Sequence, residues 1–372
     1  MVNPSPEVCK RIVSFLNPFA SSDLKTLCLT SKAFERAARP VLYRLVSLTE
    51  FNQAISFTQR IRDNPELGKM IYELRIITRH QLRLPAQALE EYTLYYWKGV
   101  LEVLARAPNL TALFIYDSFL DTFPPLSADA VFPFQLERCT LRLCWNDSLV
   151  RFLTTQHALS VLQCYDLADE RGTLAIPDGC WPKMHSFAGS LTSAMEIAEG
   201  AAPRLQCLCL RLDTATSPTV AYYLPQLDAL RPTLRSLKLV GLDAHDVDSA
   251  ISAAARFFPD LQFIGALPLP PVERTAFCEA LTRFNDLRHI QVDLNRWRPQ
   301  PQSPAPLRAI VTQLKIFAPT LRMVTIWMPH GKWMWMIRDG EWEPNPDATQ
   351  ALWNCNSWID QVDLPFLAGQ CP

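Results

Sequence analysis

A single phrase recurs along most of this chain, and it limits the folds that the chain can adopt. The phrase is a proline or polar residue followed by Leu-x-x-Leu-x-apolar, and nine copies lie between residues 108 and 328. Their leading apolar residues are Leu110, Leu136, Leu159, Met184, Leu205, Leu234, Leu261, Leu287 and Leu321. Successive leading residues are 21 to 34 positions apart, and YELRII at 72–77 is an earlier, weaker copy. Self-similarity at this spacing is typical of chains built from repeated structural units.

The segments between the copies have the features of helices. Three of them end at Pro or Asn immediately before the next copy: 246–258, 272–284 and 307–318. Ser217-Pro218 places a capping residue and then a proline where a helix over 221–230 would begin. Ser193 to Glu196 has the spacing of a capping box. The order of strand, helix and breaker therefore predicts one architecture for the whole repeated region.

These units must stack on one another. One strand and one helix of about 25 residues cannot bury enough apolar surface to offset the entropy lost on ordering them. A unit between two neighbours buries both of its faces, so repeats of this size form a continuous core only as an array. Length alone would suggest two or three domains for 372 residues, but an array can run that far as one body.

Composition excludes several classes of protein. With 49% hydrophobic and 20% charged residues, the chain has enough apolar surface for a large core, so global disorder is excluded. The formal net charge is −1, with 36 basic and 37 acidic residues and no basic cluster. Nucleic-acid binding relies on clustered Lys and Arg, so we expect no nucleic-acid partner.

The cysteines and the first residues indicate a compartment. Eleven cysteines are scattered from Cys9 to Cys371, mostly inside apolar phrases such as LQCLCL at 205–210. No secretory leader precedes them, and no apolar stretch approaches the roughly 20 residues that span a bilayer. We therefore expect reduced, buried thiols, a cytoplasmic or nuclear location and no membrane partner.

Residues 6–48 differ from the repeats and predict three short amphipathic helices. Apolar residues recur at helical spacing, namely Val8, Ile12, Phe15 and Leu16 in the first helix and Leu24, Leu27, Cys28 and Phe34 in the second. Asn17-Pro18 ends the first helix, because proline disfavours a helical residue before it. Ala37 to Tyr43 forms the third. A unit of this size rarely has a stable core of its own. We therefore expect these helices to dock on the repeats or on a partner.

These residues resemble an F-box, the adaptor-binding module of Skp–cullin–F-box ubiquitin ligases. The most specific phrase is DLKTLCLTSKAF at 23–34, flanked by PEV at 6–8 and ARPVLY at 38–43. The resemblance implies that eight residues contact the Skp adaptor or support the surface that does: Pro6, Glu7, Ile12, Leu16, Leu24, Leu27, Ser31 and Tyr43. Pro4-Ser5 stands where the family has Leu-Pro, and Tyr43 stands where it has a closing Trp. Both departures weaken adaptor contacts.

The repeats resemble the irregular leucine-rich repeats that are often attached to F-boxes. The implied fold is α/β, with an F-box-like module at 1–48 followed by an irregular leucine-rich-repeat solenoid at 49–328. Parallel strands would lie inside the solenoid and helices outside. A Trp-rich hairpin or cap would occupy 329–372.

Side chains at the x positions of the strands would line the inner face of such a solenoid. In the register above they are Phe114, Tyr116, Arg142, Tyr165, Arg211, Lys238, His289, Gln291 and Trp327. Aromatic residues and arginine are enriched in protein-binding surfaces. This set is therefore the predicted contact surface for a target protein.

Three segments depart from the repeat. We expect a proline-rich surface loop at 119–133 and an extended segment at 298–306, which is either a loop insertion or a docking segment. WMWMIRDGEWEP at 333–344 predicts a hairpin around Asp339-Gly340. Six tryptophans cluster from Trp327 to Trp358, as either a C-terminal cap or a contact surface.

The motifs of common catalytic and cofactor sites are absent from the sequence. Neither GxxxxGK, GxGxxG nor Gly-x-Ser-x-Gly occurs. Cys207 and Cys209 lack a second cysteine pair, and Asp246 and Asp248 beside His245 lie where a helix would begin and Asp residues commonly cap. We expect no catalytic residue, no metal and no cofactor, although catalytic residues assembled from distant positions would leave no such motif.

The function that these expectations favour is target recognition without catalysis. The F-box resemblance implies a substrate-receptor subunit that binds the Skp adaptor, through it a cullin, and a protein target on the repeats. The alternative is a structural or regulatory interaction scaffold outside any ligase. In that case the first three helices would be a cap on the first repeat or a dimerisation patch.

Overall fold

The structure is a computed structural model, and it has mixed α/β architecture. It describes residues 4–16, 21–77, 86–116, 132–143, 145–165, 175–301, 303–329 and 331–344. The chain forms two compact units. The first comprises Met1–Asp166 with Glu170–Leu174, and the second comprises Leu167–Asp169 with Ala175–Pro372.

The first unit contains three helices followed by strands that alternate with helices. Its helices are α1 (Pro6–Ser14), α2 (Ser21–Thr30), α3 (Lys32–Arg44), α4 (Phe51–Asp63), α5 (Ala86–Ala105) and α6 (Asp147–Thr154), with a 3-10 helix at Pro65–Met70. Its strands are β1 (Leu45–Leu48), β2 (Glu73–Ile76), β3 (Ala112–Ile115), β4 (Arg138–Leu141) and β5 (Val161–Cys164). The five strands pair in chain order, and every pair is parallel.

The second unit continues the same alternation and ends in a hairpin. Its strands are β6 (Ser186–Ser190), β7 (Cys207–Arg211), β8 (Ser236–Val240), β9 (Phe263–Pro268), β10 (His289–Asp293), β11 (Met323–Met328), β12 (Gly331–Arg338) and β13 (Glu341–Pro344). Its α-helices are α7 (Leu191–Glu196), α8 (Val220–Tyr223), α9 (Val247–Phe257), α10 (Thr275–Leu281) and α11 (Pro304–Phe317). Strands β6 to β11 pair in parallel, whereas β12 and β13 are antiparallel.

Every copy of the recurring phrase forms a strand, which confirms the predicted α/β alternation. In all nine copies the strand begins two residues after the leading apolar residue, as β3 does after Leu110 and β8 does after Leu234. All nine leading residues are buried. The weaker copy at 72–77 forms β2.

The backbone explains why the strands begin at this point. The N–H groups of Thr111 and Ala112 both donate to the carbonyl of Tyr72 one repeat earlier, at 2.9 and 3.0 Å. Arg235 and Ser236 likewise donate to the carbonyl of Gln206, at 2.8 and 3.0 Å. One carbonyl thus accepts two successive N–H groups where a strand enters the sheet, and the buried leading residue holds the turn before it.

Helix starts were predicted less well than strands. The helix expected to begin after Ser217-Pro218 begins at Val220, because the Ser217 hydroxyl donates to Asp246 at 2.6 Å and accepts from the Asp243 N–H at 2.8 Å. The cap placed at Ser193 was also wrong. Ser190 caps α7 by accepting from the Ser193 N–H at 3.1 Å.

Two further boundaries differ from expectation. The helix predicted over 272–284 begins only at Thr275, since Glu273 adopts a φ of 57° that a right-handed helix does not allow. The segment 298–306 was expected to be extended throughout. Its last residues instead form the first turn of α11 from Pro304, where a missing N–H is tolerated.

The predicted C-terminal hairpin is confirmed. Strands β12 and β13 pair around Asp339 and Gly340, whose φ angles are 51° and 85°, as a tight turn of this type requires. Trp335 and Trp342 are buried. Trp353, Trp358 and most of the loop expected at 119–133 lie outside the described residues.

Among the residues that the structure describes, no helix combines the length and apolar character that a bilayer crossing requires.

Candidate protein-interaction surfaces

The first three helices share a core of their own. Helices α1 and α2 both pack on α3, and Val13, Leu24 and Ala38 are buried at their junction. Partly buried apolar side chains surround this core: Leu16, Leu27, Cys28, Phe34, Ala37, Val41 and Leu42. The module therefore buries Leu24 of the predicted second-helix stripe and packs Leu27 and Cys28 around it, whereas Phe34, which was expected on the second helix, lies on α3.

Helix α1 also carries a second apolar face that points to solvent. Val8, Ile12 and Phe15 recur at i, i+4 and i+7, and their exposed fractions are 48%, 42% and 77%. Cys9 and Val13 lie on the opposite, buried side of the same helix. We call Val8, Ile12 and Phe15 the α1 stripe. Its spacing places the three side chains next to one another on one helical face, where they form an exposed apolar patch.

The structure separates the predicted adaptor residues into two groups. Pro6, Glu7 and Ile12 are exposed on α1. The backbone N–H of Glu7 and the Ser5 hydroxyl hold the pKa of the Glu7 carboxyl below its usual value. Ile12, at 42%, is the exposed member of the four predicted Leu and Ile positions.

The remaining predicted adaptor residues support the module from inside. Leu24 is fully buried, and Leu16 and Leu27 pack around it. Ser31 caps α3, because its hydroxyl accepts from the Phe34 N–H at 3.3 Å. The ring of Tyr43 stacks on Phe57 of α4 with 6.3 Å between centroids. Sequence reasoning did not name the exposed Val8 and Phe15 as candidate contact residues, since helical periodicity alone cannot separate a core stripe from an exposed one.

We expect Tyr43→Ala to lower the free energy of unfolding by about 1 kcal/mol, because a stacked aromatic pair contributes roughly this amount beyond its buried area. Urea denaturation of the full chain measures the change. Tyr43→Phe keeps the ring and should match the wild type. Equal stability of the Ala variant would show that the contact between Tyr43 and Phe57 does not join α3 to α4.

Four predicted target-binding residues converge in the first unit. The rings of Phe114 and Tyr116 stack at 6.5 Å, and Tyr165 meets Tyr116 edge-on at 6.2 Å. The Arg142 guanidinium lies 5.2 Å from the centre of the Tyr116 ring. All four side chains are partly exposed. We call this group the aromatic–arginine cluster.

Parallel pairing aligns the cluster. Three of its residues each lie directly after a strand: Tyr116, Arg142 and Tyr165. The backbone N–H of each continues the hydrogen bonds between its strand and the strand of the preceding repeat. The Tyr116 N–H donates to Ile76 at 2.8 Å, and the Arg142 N–H donates to Ile115 at 2.8 Å. Residues at the same position of successive repeats are therefore neighbours, which is why a register read from the sequence could locate them.

A buried amide lies beside the cluster. Gln163, which is 3% exposed, accepts through Oε1 from the Tyr165 hydroxyl at 3.3 Å and from Thr140 at 3.5 Å. Its Nε2 is buried without a hydrogen-bond partner. Sequence reasoning missed Gln163, although it is the x residue of the VLQC strand and polar side chains at such positions could have indicated it.

In the second unit three predicted target-binding residues are buried. Lys238, His289 and Gln291 are therefore not contact residues in this conformation, and the prediction is corrected for them. Gly265 contributes to the burial of Gln291, because it has no side chain and the Phe263 ring and the Gln291 amide fill the space above it. Arg211 and Trp327 remain partly exposed.

Lys238, His289 and Gln291 form a buried polar row, in which one side chain has a strongly shifted pKa and another lacks hydrogen-bond partners. His289 donates to or accepts from the Thr325 hydroxyl through Nε2 at 2.9 Å, and Phe263 meets its ring edge-on at 4.8 Å. Burial, with a smaller contribution from the positive charge of Lys238, lowers the pKa of His289 to about 3. Gln291 is 0% exposed, and neither its Oε1 nor its Nε2 has a partner.

The reactive side chains do not gather into a catalytic arrangement in the described ranges. Burial raises the pKa of the Cys139, Cys207 and Cys209 thiols, which keeps them protonated and unreactive. No three His, Cys, Asp or Glu side chains in these ranges are placed to hold a metal ion. Asp246, singled out in the sequence, accepts from Ser217 instead.

A scan of the chain against protein-family models found no matching family, and a search of the curated proteins found no match.

Proposed function

We propose that this chain is a non-catalytic substrate-receptor subunit of a Skp–cullin–F-box ubiquitin ligase. Its first three helices would bind the Skp adaptor, and through it a cullin, while the repeats hold a protein target. The proposal combines the F-box resemblance of residues 6–48 with the observed exposure of the α1 stripe.

The α1 stripe is the observation that carries the proposal. The three-helix module already has a core around Leu24, so Val8, Ile12 and Phe15 are not needed to hold it together. Covering a Val, Ile or Phe side chain contributes roughly 1.5–3 kcal/mol each when it is fully buried. Together the three side chains would contribute at most about 4.5–9 kcal/mol, which is of the same order as the roughly 4–15 kcal/mol that association costs, so a stable interface would need further contacts beside the stripe.

The proposed mechanism is proximity without chemistry on this chain. A target bound to the repeats would be held near the conjugating enzyme that the cullin recruits. Holding two reactants together raises their effective concentration and orients them, which accelerates transfer without a catalytic group on the receptor.

Adaptor capture with purified components tests this proposal. We expect the full chain to bind the Skp adaptor and the double variant Ile12→Asp/Phe15→Asp to bind at least about 100-fold more weakly, because two carboxylates replace the centre of an apolar contact. Circular dichroism should show unchanged helix content, since both side chains are exposed. Ile316→Asp is the matched control, because Ile316 is 69% exposed on α11 in the second unit. Failure of the wild-type chain to bind, or equal binding by the double variant, would refute the assignment.

The alternative is an interaction scaffold whose first helices cap the repeats. Two observations favour it: α3 runs directly into β1, and Tyr43 stacks on Phe57 of α4. A cap would leave the chain folded and monodisperse but unable to capture the adaptor. Retention of a cullin in the captured complex would instead support the ligase receptor.

A further inference from the structure

The aromatic–arginine cluster lies on a face with an excess of positive charge. Glu73 pairs with Arg75 at 2.5 Å and lies 3.6 Å from Arg138. Strand register and alternation place all three on the same face as Phe114 and Gln163. Glu73 is thus the only described carboxylate on this face of β2 to β5, and two arginines already share it.

Arg142 has no such partner. Within the described residues, no carboxylate lies within ion-pair distance of its guanidinium, which rests on the Tyr116 ring instead. A guanidinium held against an aromatic face keeps its outer N–H groups free for a planar or tetrahedral anion. The ring contact favours this position of the guanidinium before any ligand arrives.

Gln163 is an independent observation that points to the same ligand. Its amide lies among the cluster side chains, since Tyr165 and Thr140 both donate to its Oε1. The Nε2 donor of this 3% exposed residue has no acceptor. A buried donor without an acceptor is costly, and an incoming anion would satisfy it.

We propose that the aromatic–arginine cluster binds an anionic side chain of a target peptide. The anion would pair with Arg142 and accept from Gln163, while the neighbouring apolar part of the peptide lies on Tyr116 and Tyr165. This inference rests on the proposed function, because it identifies the class of target that the receptor recognises. Both a carboxylate and a phosphate have the required chemistry.

The charge pattern argues against a nucleic acid as the ligand. Binding a nucleic-acid strand needs several cations that track successive phosphates. Here Glu73 neutralises part of the arginine charge, and only Arg142 is without a carboxylate partner in the described part of the face. One cation beside three aromatic rings suits a single anion flanked by apolar groups.

Fluorescence anisotropy with the full chain tests the proposal. The probe is a labelled 12-residue peptide of Gly-Glu-Leu repeats, compared with peptides that carry Gln or phosphoserine in place of Glu. We expect the Glu or phosphoserine peptide to bind at least about tenfold more tightly than the Gln peptide, because a charge-assisted pair replaces a neutral one. Tighter binding of the phosphoserine peptide assigns the site to phosphate. Equal or tighter binding of the Glu peptide assigns it to carboxylate.

Arg142→Gln should remove this preference, and Arg231→Gln, an exposed arginine in the second unit, should leave it unchanged. Tyr116→Leu should weaken binding by about threefold to tenfold, because it removes the ring beneath the guanidinium. Thermal melts confirm that each variant is folded. Equal affinity for the Glu, phosphoserine and Gln peptides, an Arg142→Gln variant that keeps the preference, or tighter binding of a labelled oligouridine would overturn the proposal.

Adaptor capture separates this inference from the function on which it rests. Arg142→Gln should capture the adaptor as the wild type does, since Arg142 is not on the three-helix module. Capture of the adaptor without a preference for anionic peptides would overturn only the peptide site. An Arg142-dependent preference without adaptor capture would overturn only the ligase assignment.

Discussion

Replacing Leu24 with aspartate is expected to unfold the three-helix module while the repeats stay folded. Leu24 is 0% exposed in the core with Val13 and Ala38. Deleting a buried leucine costs about 2–5 kcal/mol, and an unpaired carboxylate at the same site adds several more. A module of this size has little stability to lose. Hydrogen exchange measured by mass spectrometry should therefore show loss of protection across 6–44.

The same helix provides the control. Leu29 is 88% exposed, so Leu29→Asp introduces the same charge without entering the core and should leave protection unchanged. Unchanged protection in Leu24→Asp would show that the module is not held by the observed core. The comparison also matters for the proposed adaptor binding, because Leu24→Asp would abolish any capture by unfolding the module. Changes at Ile12 and Phe15 instead test the contact itself.

Acidification is expected to destabilise the chain through His289 by about 2 kcal/mol between pH 6.5 and 4.5. Burial lowers the pKa of His289 to about 3, whereas an unfolded histidine titrates near its usual value. At a pH between these two pKa values, the histidine is protonated in the unfolded state and neutral in the folded state. Stability is therefore fully present above the unfolded pKa and falls as the pH drops toward the folded one. Lys238 is the charged group that opposes protonation, and Thr325 and Phe263 are the other neighbours of the ring.

Urea unfolding at several pH values measures this loss, and His289→Gln should flatten the profile by the same amount. The difference between the two proteins isolates His289 from acidic groups, which also destabilise the fold in acid. An NMR titration of the imidazole provides a second measurement and should show no protonation above about pH 4. Parallel pH profiles for the two proteins, or a ring that titrates near pH 6.5, would contradict the burial of His289.

The strand positions could be predicted because they depend on short-range pattern. Leu110 and Leu234 lead phrases whose strands begin two residues later, and both are buried as the phrase requires. A repeat supplies the same neighbours to every copy, so one pattern determines pairing, direction and order together. The hairpin at Asp339-Gly340 was equally predictable, since these residues accept the backbone angles that the turn needs.

Helix starts depended on contacts between distant residues. Ser217 is a good cap by its local sequence, but it bonds Asp246 and the backbone of Asp243 one repeat later. Glu273 adopts a positive φ, in the left-handed region, which could not be predicted from a glutamate at this position. In each case a tertiary contact or a backbone geometry overrode the local preference.

The predicted surfaces also depend partly on local pattern and partly on tertiary contacts. Register placed Tyr116, Arg142 and Tyr165 on one face because parallel strands align equivalent residues, and the structure brings them together. Register placed His289 and Gln291 on the equivalent face as well. There both residues are buried, and the Gln291 amide and the Phe263 ring fill the space that the missing side chain of Gly265 leaves.

By itself the sequence determined that strands and helices alternate, where the strands of the recurring phrase lie and which of their residues share a face, but it did not predict β1 at Leu45–Leu48, which it assigned to the helical module. These properties follow from a periodicity that each repeat imposes on the next. Only the tertiary structure decided which side chains on a face are exposed, as the contrast between buried Leu24 and exposed Ile12 illustrates. Exposure depends on what packs against a residue from elsewhere in the chain, and no local pattern carries that information.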